Sequence, residues 1–272
     1  MTDLDQAAAH RAREWFHTLT VPDGLTIIVR VDGRGFSKLT EGNFTKPWSD
    51  LFANHMKAVA EALMTELGGV FGYTFSDEIS ILLPARFDLF GRGLEKLVSI
   101  SAGIASQTFT AADVPGHFDA RLWVGAQHDA PSYFTWRQAD ALRNSLNDTC
   151  YWTLRNSGMP AGKATSLMKG ATRAEKRELL HQHGVNWNDL PASRKCGSGV
   201  MWEMYLKQGF NPVTEQTVPA LRKRLRWYHD MPEGDACADL VRVPLAAEVE
   251  RGVPDTTTDH DDQQPTTRKD QP

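Results

Sequence analysis

The apolar positions in the first half of the chain change period several times. Leu25–Val31 (LTIIVRV) is a β-branched run closed off by Pro22-Asp23-Gly24 and by Gly33, the pattern of a buried strand. From Trp48 to Leu67, apolar residues such as Leu51, Phe52, Met56, Val59 and Leu63 recur at three- and four-residue steps. That spacing predicts one apolar helix face, stopped by Gly68-Gly69. Val70–Phe75 and Ile79–Leu83 predict two short strands, and only Ser76-Asp77-Glu78 lies between them, which predicts a hairpin. Leu89–Phe109 has helical spacing and Phe118–Val124 alternates as a strand. The order β-α-β-β-α-β predicts an α+β fold with a ferredoxin-like core over residues 1–130.

The second half changes character. Ser132–Asn156 predicts a long helix, ended by Gly158 and Pro160, and 172–183 a short one. Residues 184–199 read as loop, and 218–228 carry no clear period. Residues 131–247 therefore read as a helical extension packed on the core, or as part of one continuous domain. Residues 248–272 are acidic, rich in Pro, Thr and Gln, and lack aromatics, so they predict a disordered tail.

Composition narrows the class. No apolar run reaches the roughly 18 residues that a membrane span needs, and the polar N-terminus lacks the apolar core of a signal peptide. The expectation is a cytoplasmic protein with no membrane partner. Three scattered cysteines argue against a disulfide framework or a zinc site. The net charge is −4, yet seven acids and three bases lie from Ala246 onward, which leaves the rest neutral. Bases cluster at Arg173, Lys176 and Arg177, at Arg194 and Lys195, and at Arg222, Lys223, Arg224 and Arg226. Each cluster alone fits a solvated face; three together would suit a phosphate-binding surface.

Two carboxylates carry the chemistry. Asp32 falls at the end of the first strand and Asp77 in the hairpin turn, and in a βαββαβ sheet these points are neighbours. Oxygen ligands suit Mg²⁺, and two ions about 4 Å apart can activate a hydroxyl and stabilise a leaving phosphate oxygen. In VDGRGFSKLT, Gly33 and Gly35 would let backbone approach a ligand, successive N–H groups could cradle a triphosphate, and Phe36 could stack on a base. Arg34, Lys38 and Lys46 are nearby cations. The same residues also read as a plain turn after a strand, and Asp77-Glu78 as ordinary acidic turn chemistry.

VRVDGRGFSKLT, FTKP (Phe44–Pro47), GYTFSDEIS, FDARLWV and WRQAD resemble the histidine-tRNA guanylyltransferase superfamily, in order, from about Leu25 to Trp202. GRGLEKLVSISAGIAS, RNSLNDTCYWTL, AEKRELL and GVNWNDLP are similar to its guanylyltransferase-like branch. The resemblance implies a palm-like nucleotidyltransferase that extends RNA from 3′ to 5′. The tRNA 5′ end is activated by ATP or carries a triphosphate, and the 3′-hydroxyl of an incoming NTP, often GTP, attacks it. Position by position, Asp32, the Gly33 carbonyl and Asp77 would hold two Mg²⁺ ions, supported by Glu78. Asp32, Gly33, Arg34, Gly35, Phe36 and Ser37, with Ser76 and Asp77, would line a nucleotide. Lys46, Arg92 and Lys96 would lie near triphosphates. A homotetramer, a dimer of dimers, is also implied.

Members devoted to histidine tRNA carry His-Ile-Asn-Asn where this chain reads Leu142-Arg143-Asn144-Ser145. That departure points to templated repair of tRNA 5′ ends, with dedicated guanylate addition to histidine tRNA as the alternative. Arg143, Asn144, Lys176, Asn186 and Asn188 are candidates for RNA contact, against capping or surface polarity. Trp136, Trp152 and Trp202 read as core, with base stacking as the alternative. Asp140 reads either as support for the site or as an ion-pair partner of Arg137. A non-catalytic RNA- or nucleotide-binding palm and a nucleotide cyclase are the competing functions.

Overall fold

Strand alternation decides what each face of the sheet meets, because successive side chains point to opposite faces. The structure is a computed structural model and describes residues 3–211 and 215–252. Its helices are α1 (Asp3–Arg11), α2 (Phe36–Asn43), α3 (Asp50–Glu66), α4 (Leu94–Thr110), α5 (Ala130–Asn156), α6 (Ala161–Met168), α7 (Arg173–Gln182), α8 (Ala192–Cys196) and α9 (Asp235–Gly252). Its strands are β1 (Thr26–Gly33), β2 (Phe71–Phe75), β3 (Glu78–Leu82), β4 (Phe118–Gly125), β5 (Ser198–Asn211) and β6 (Gln216–Tyr228). They form one antiparallel sheet in the order β4-β1-β3-β2-β5-β6. The first four strands have the order of a ferredoxin-like sheet, with β1 and β3 central.

Ile27, Val29 and Val31 of β1, with Ile79 and Ile81 of β3, pack against α3 and α4 through Val59, Leu63 and Leu97. Ile28 and Leu82 point the other way, onto Tyr133 and Phe134 of α5 and Val241 of α9. Each such fully buried side chain contributes about 1.5–3 kcal/mol. One helix pair on each face explains why β1 reads as an unbroken apolar run. Ser80, buried on the α5 face, is hydrogen-bonded to the Tyr133 hydroxyl at 2.9 Å.

The extension is helical but also supplies two strands. β5 pairs with β2 only from Ser198 to Met201, whereas its ladder with β6 runs from Gly199–Tyr228 to Asn211–Gln216. The ribbon therefore continues past the rest of the sheet. It escaped the sequence reading because Met204, Leu206, Phe210 and Leu221 stand exposed among basic residues. The sheet draws strands from both sides of residue 130, the first of α5.

Other boundaries differ for local reasons. Leu89–Arg92 forms a separate 3₁₀ turn, with Phe90 and Arg92 at positive φ, before α4 begins. The expected loop 184–199 contains a 3₁₀ turn at Trp187–Asp189, the short α8 and the start of β5. Residues 248–252, expected in the tail, continue α9; the remainder of that tail lies outside the described residues. The three cysteines are buried and free. Among the described residues no helix is long and apolar enough to cross a membrane.

Candidate active site

The parity that puts Ile28 on the α5 face puts Arg30 and Asp32 there too. Cross-strand pairing aligns Asp32 with Glu78 on one side and with Asp119 on the other. The Gly33 N–H donates to the Asp77 carbonyl at 3.1 Å, and the Arg34 N–H to the His117 carbonyl at 2.8 Å. The end of β1 is thus pinned from both sides, with the hairpin turn beside it.

The glycines serve the chain itself. A Cβ on Gly33 would lie 2.4 Å from the Phe36 ring, so only glycine fits. Gly35 has φ 72°, a conformation that favours glycine. Phe36 is not free to stack on a base. It is 2% exposed and packs on Phe109 and Phe118 with ring centroids 5.0 and 4.8 Å away. Its apolar ring gains more from that aromatic core than from the surface.

Asp77 and Glu78, adjacent in sequence, meet opposite fates. The β2–β3 connection is the two residues Ser76 and Asp77, with Ser76 at φ 54°. The Ser76 hydroxyl donates to the Asp77 carboxylate at 3.1 Å. Burial first, then the Asp32 carboxylate, push Asp77 up to about 6, against the pull of backbone and Ser76 hydrogen bonds. Glu78 is the first residue of β3 rather than a turn residue. The Arg137 guanidinium grips it at both oxygens, 2.6 Å each, and Arg30 Nε lies 3.9 Å away. Burial raises its pKa too, with Arg137 opposing. Arg137 also donates to Asp140 at 3.2 Å, and Asp140 accepts from Arg143 and Asn144. Asp140 is therefore an ion-pair partner that links Glu78 to the exposed face of α5.

These groups line a cleft of about 750 Å³ that includes Arg30, Asp32, Ser37, Ser76, Asp77, Arg143, Asn144 and Asn147. Trp136, expected in the core, is exposed and lines it, with the Arg137 guanidinium 4.5 Å from its ring. A second cavity of about 290 Å³ adjoins it, sharing Phe75, Ser76 and Asp148. Lys46, Trp48, Asp50, Thr74, Trp152 and Arg194 line this second cavity. Lys46 donates to the Thr40 hydroxyl at 2.6 Å and sits 5.5 Å from the Trp152 ring. Burial lowers its pKa, while Asp148 and Asp77 pull it back up, so this cation sits within reach of the Asp77 field. Sequence reasoning found Lys46, read Trp152 as core with base stacking as the alternative, and missed Asp148. The spacing of four between Asp148 and Trp152 on α5 was the available signal.

Several expected residues lie elsewhere. Arg92 is 6% exposed, and its guanidinium donates to the carbonyls of Val21, Phe87, Pro22 and Leu25 at 2.6–2.9 Å. It ties the chain before β1 to the turn before α4 and has little left to offer a triphosphate. Lys96 is exposed on α4, which packs on the other face of the sheet. Arg34 is exposed. Among RNA candidates, Arg143 and Asn144 face the cleft. Asn186 caps a turn instead: its side chain accepts from Asn188 N and donates to Asp189. Lys176 lines a separate hollow beside Met168 and Gly170. Asn188 lines another, with Arg173 and Arg177.

The donor set suits a hard cation. Mg²⁺ is commonly held by one or two carboxylates plus substrate phosphates rather than by an all-protein cage. Among the described residues no group of three or more His, Cys, Asp or Glu forms such a cage. Asp32 and Asp77 disfavour each other's charge, and a cation beside them would relieve that repulsion. A ferredoxin-like sheet with Asp32 on a central strand, Asp77 in the adjoining turn, a lysine and a neighbouring pocket fits the class of palm-type nucleotidyltransferases.

Comparison with known proteins narrows the class. The family model described as tRNAHis guanylyltransferase matches residues 9–135, and the Thg1 C terminal domain model matches 129–265. The tRNA(His) guanylyltransferase of Neurospora crassa is 34% identical over 229 residues, 75% of this chain and 77% of that protein. A solved bacterial tRNA(HIS) guanylyltransferase (Thg1)-like protein in complex with ATP superposes with TM-score 0.69 at 26% identity, covering 92% of this chain and 99% of that one. The same kind of bacterial protein in complex with GTP gives 0.65 at 26%, covering 89% and 98%. The chain belongs to the tRNA(His) guanylyltransferase family and is a nucleotidyltransferase.

Proposed function

We propose that the protein adds nucleotides to the 5′ end of tRNA in the 3′-to-5′ direction, with Mg²⁺, and that it repairs truncated ends against the opposite strand. The observation that carries this is Asp77 lodged beside Asp32 without an ion pair to any described residue, next to a pocket entered by Lys46. Asp32, Asp77 and the Gly33 carbonyl would hold Mg²⁺, which when bound would supply activation of the attacking 3′-hydroxyl and charge stabilisation at the phosphates. The pocket between α3 and α5 takes the nucleotide, and Lys46 at its mouth faces the phosphates. Ser76, where the pocket meets the cleft, and Ser37, within the cleft, would donate hydrogen bonds to the nucleotide. Glu78 is held by Arg137 and keeps α5 in register with the carboxylates. ATP and GTP, bound by the bacterial relatives, are the nucleotides expected for activation and addition. Arg143 and Asn144 meet the RNA end across the cleft. The working assembly in this reading is a homotetramer.

The second reading is guanylate addition to histidine tRNA, favoured by the names of the relatives. Against it, Leu142 packs beside the α5–α9 core and the Ser145 hydroxyl donates to the Arg194 carbonyl at 2.6 Å. Two of the four positions that should carry His-Ile-Asn-Asn are thus engaged within the protein. The test is incorporation on intact and 5′-truncated tRNAs with Mg²⁺ and each NTP alone. Nucleotides that follow the opposing base support repair; guanylate added only to histidine tRNA supports the second reading. Undiminished activity in Asp77→Ala would defeat both.

A further inference from the structure

We propose that a small cavity between α5, α7 and α8 seats a backbone phosphate of the RNA substrate, held by Arg173, Arg177 and Lys195. The cavity has a volume of about 150 Å³ and lies outside both cavities described above. It brings together two basic clusters that are separate in sequence. Arg173 and Arg177 are one turn apart on α7, and Lys195 comes from α8. Glu233 is the one acid among the lining residues, so the wall carries an excess of positive charge.

Neither arginine makes a hydrogen bond or ion pair with a described residue. Like charges one helical turn apart repel, and an anion between them would relieve that repulsion. Guanidinium forks match phosphate oxygens in pairs. Lys195 donates to the Asn188 carbonyl at 3.1 Å, which fixes its ammonium at the rim. The occupant is a phosphate rather than a base, because Trp187, the aromatic here, is 5% exposed and packs on Leu146 and Leu180.

Position argues for RNA over a nucleoside triphosphate. The cavity contains neither Asp32 nor Asp77. Its apolar floor is Leu142 and Leu146, while Arg143, Asn144 and Asn147, the next stripe of α5, line the catalytic cleft. An RNA end that reaches the carboxylates across that stripe carries its backbone past the cavity.

This inference rests on tRNA being the substrate, and the test separates the two. Binding of a tRNA transcript lacking its 5′ nucleotide is titrated at several salt concentrations, and incorporation is measured in parallel. The full-length Arg173→Ala/Arg177→Ala protein should bind at least about 10-fold more weakly, with a salt slope lower by about one to two counterions. The KM for GTP and for ATP, and kcat at saturating RNA, should stay unchanged. The Arg173→Lys/Arg177→Lys protein should recover most of the affinity, which shows that charge rather than folding was lost. Unchanged affinity and slope, while the parent protein binds and extends the transcript, would overturn the phosphate seat and leave the proposed function intact. A raised nucleotide KM at unchanged RNA affinity would also overturn it, by assigning the anion to the triphosphate. A parent protein that binds no tRNA would overturn both.

Discussion

Asp77 and Glu78 are chain neighbours, both are desolvated, and among the described residues only Glu78 has an ion-pair partner. Glu78 opens a strand, so pairing with Asp32 aims it at α5, where Arg137 meets it with two hydrogen bonds. Asp77 belongs to the turn, faces Asp32 and is helped by a serine hydroxyl, backbone and, at longer range, the Lys46 charge. The first arrangement is a structural ion pair, complete within the protein. The second has no ion-pair partner among the described residues, the setting that a cation from solution would complete. One residue of offset along the chain therefore separates a brace from a binding site.

The contrast breaks most severely at Asp77. Asp77→Ala should lower nucleotide incorporation by several orders of magnitude while the protein still folds, which steady-state kinetics and circular dichroism check together. Removing the brace should affect stability instead. Arg137→Ala leaves a desolvated Glu78 without its partner and should cost about 3–5 kcal/mol in denaturant unfolding. The Arg137→Ala/Glu78→Gln pair should recover part of that loss, and failure to do so would mean the ion pair is not the brace.

The pH dependence sharpens the same comparison. Asp77 holds its proton more tightly folded than unfolded, since its folded value is about 6 and its ordinary value 3.8. Its contribution to stability is thus present below the ordinary value and lost as pH rises through about 6, a change on the order of 1–3 kcal/mol. Without metal, the melting temperature should fall across that window. Mg²⁺ should restore it in the parent protein and have little effect on Asp77→Asn. Glu78 tilts the same way, so the variant's slope is reduced rather than abolished. The smallest effect on stability belongs to a solvent-accessible pair at the wall of the second cavity. Arg194→Ala removes a 3.2 Å contact with exposed Asp50 and should change stability by less than about 1 kcal/mol.

The core of the fold was legible because its strands and helices state their faces in sequence. The β1 run, the α3 period and the hairpin around Ser76-Asp77 place two carboxylates together without any structure. Arg92 and Phe36 were misread because a motif shows which residues are present, not which way they face. Arg92 turns inward onto four carbonyls, and Phe36 turns into an aromatic cluster with Phe52 of α3 and Phe109 of α4. The second cavity was invisible because its walls come from the α2–α3 loop, β2, α5 and α8, which meet only in the folded chain. The β5–β6 ribbon lacks a buried face along most of its length, so no periodicity could reveal it.

The turn that carries Asp77 is two residues long, and its neighbours on either side are already paired in the ladder. It has no slack. A single inserted residue there would either unpair Glu78 from Asp32 or carry Asp77 away from it. Insertions and deletions in this family should therefore be excluded from Ser76-Asp77 and gather at connections such as 157–160 or 169–172, which end helices rather than join hydrogen-bonded strands. The alignment of relatives should show a fixed-length gap-free window at the turn even where the surrounding residues have diverged.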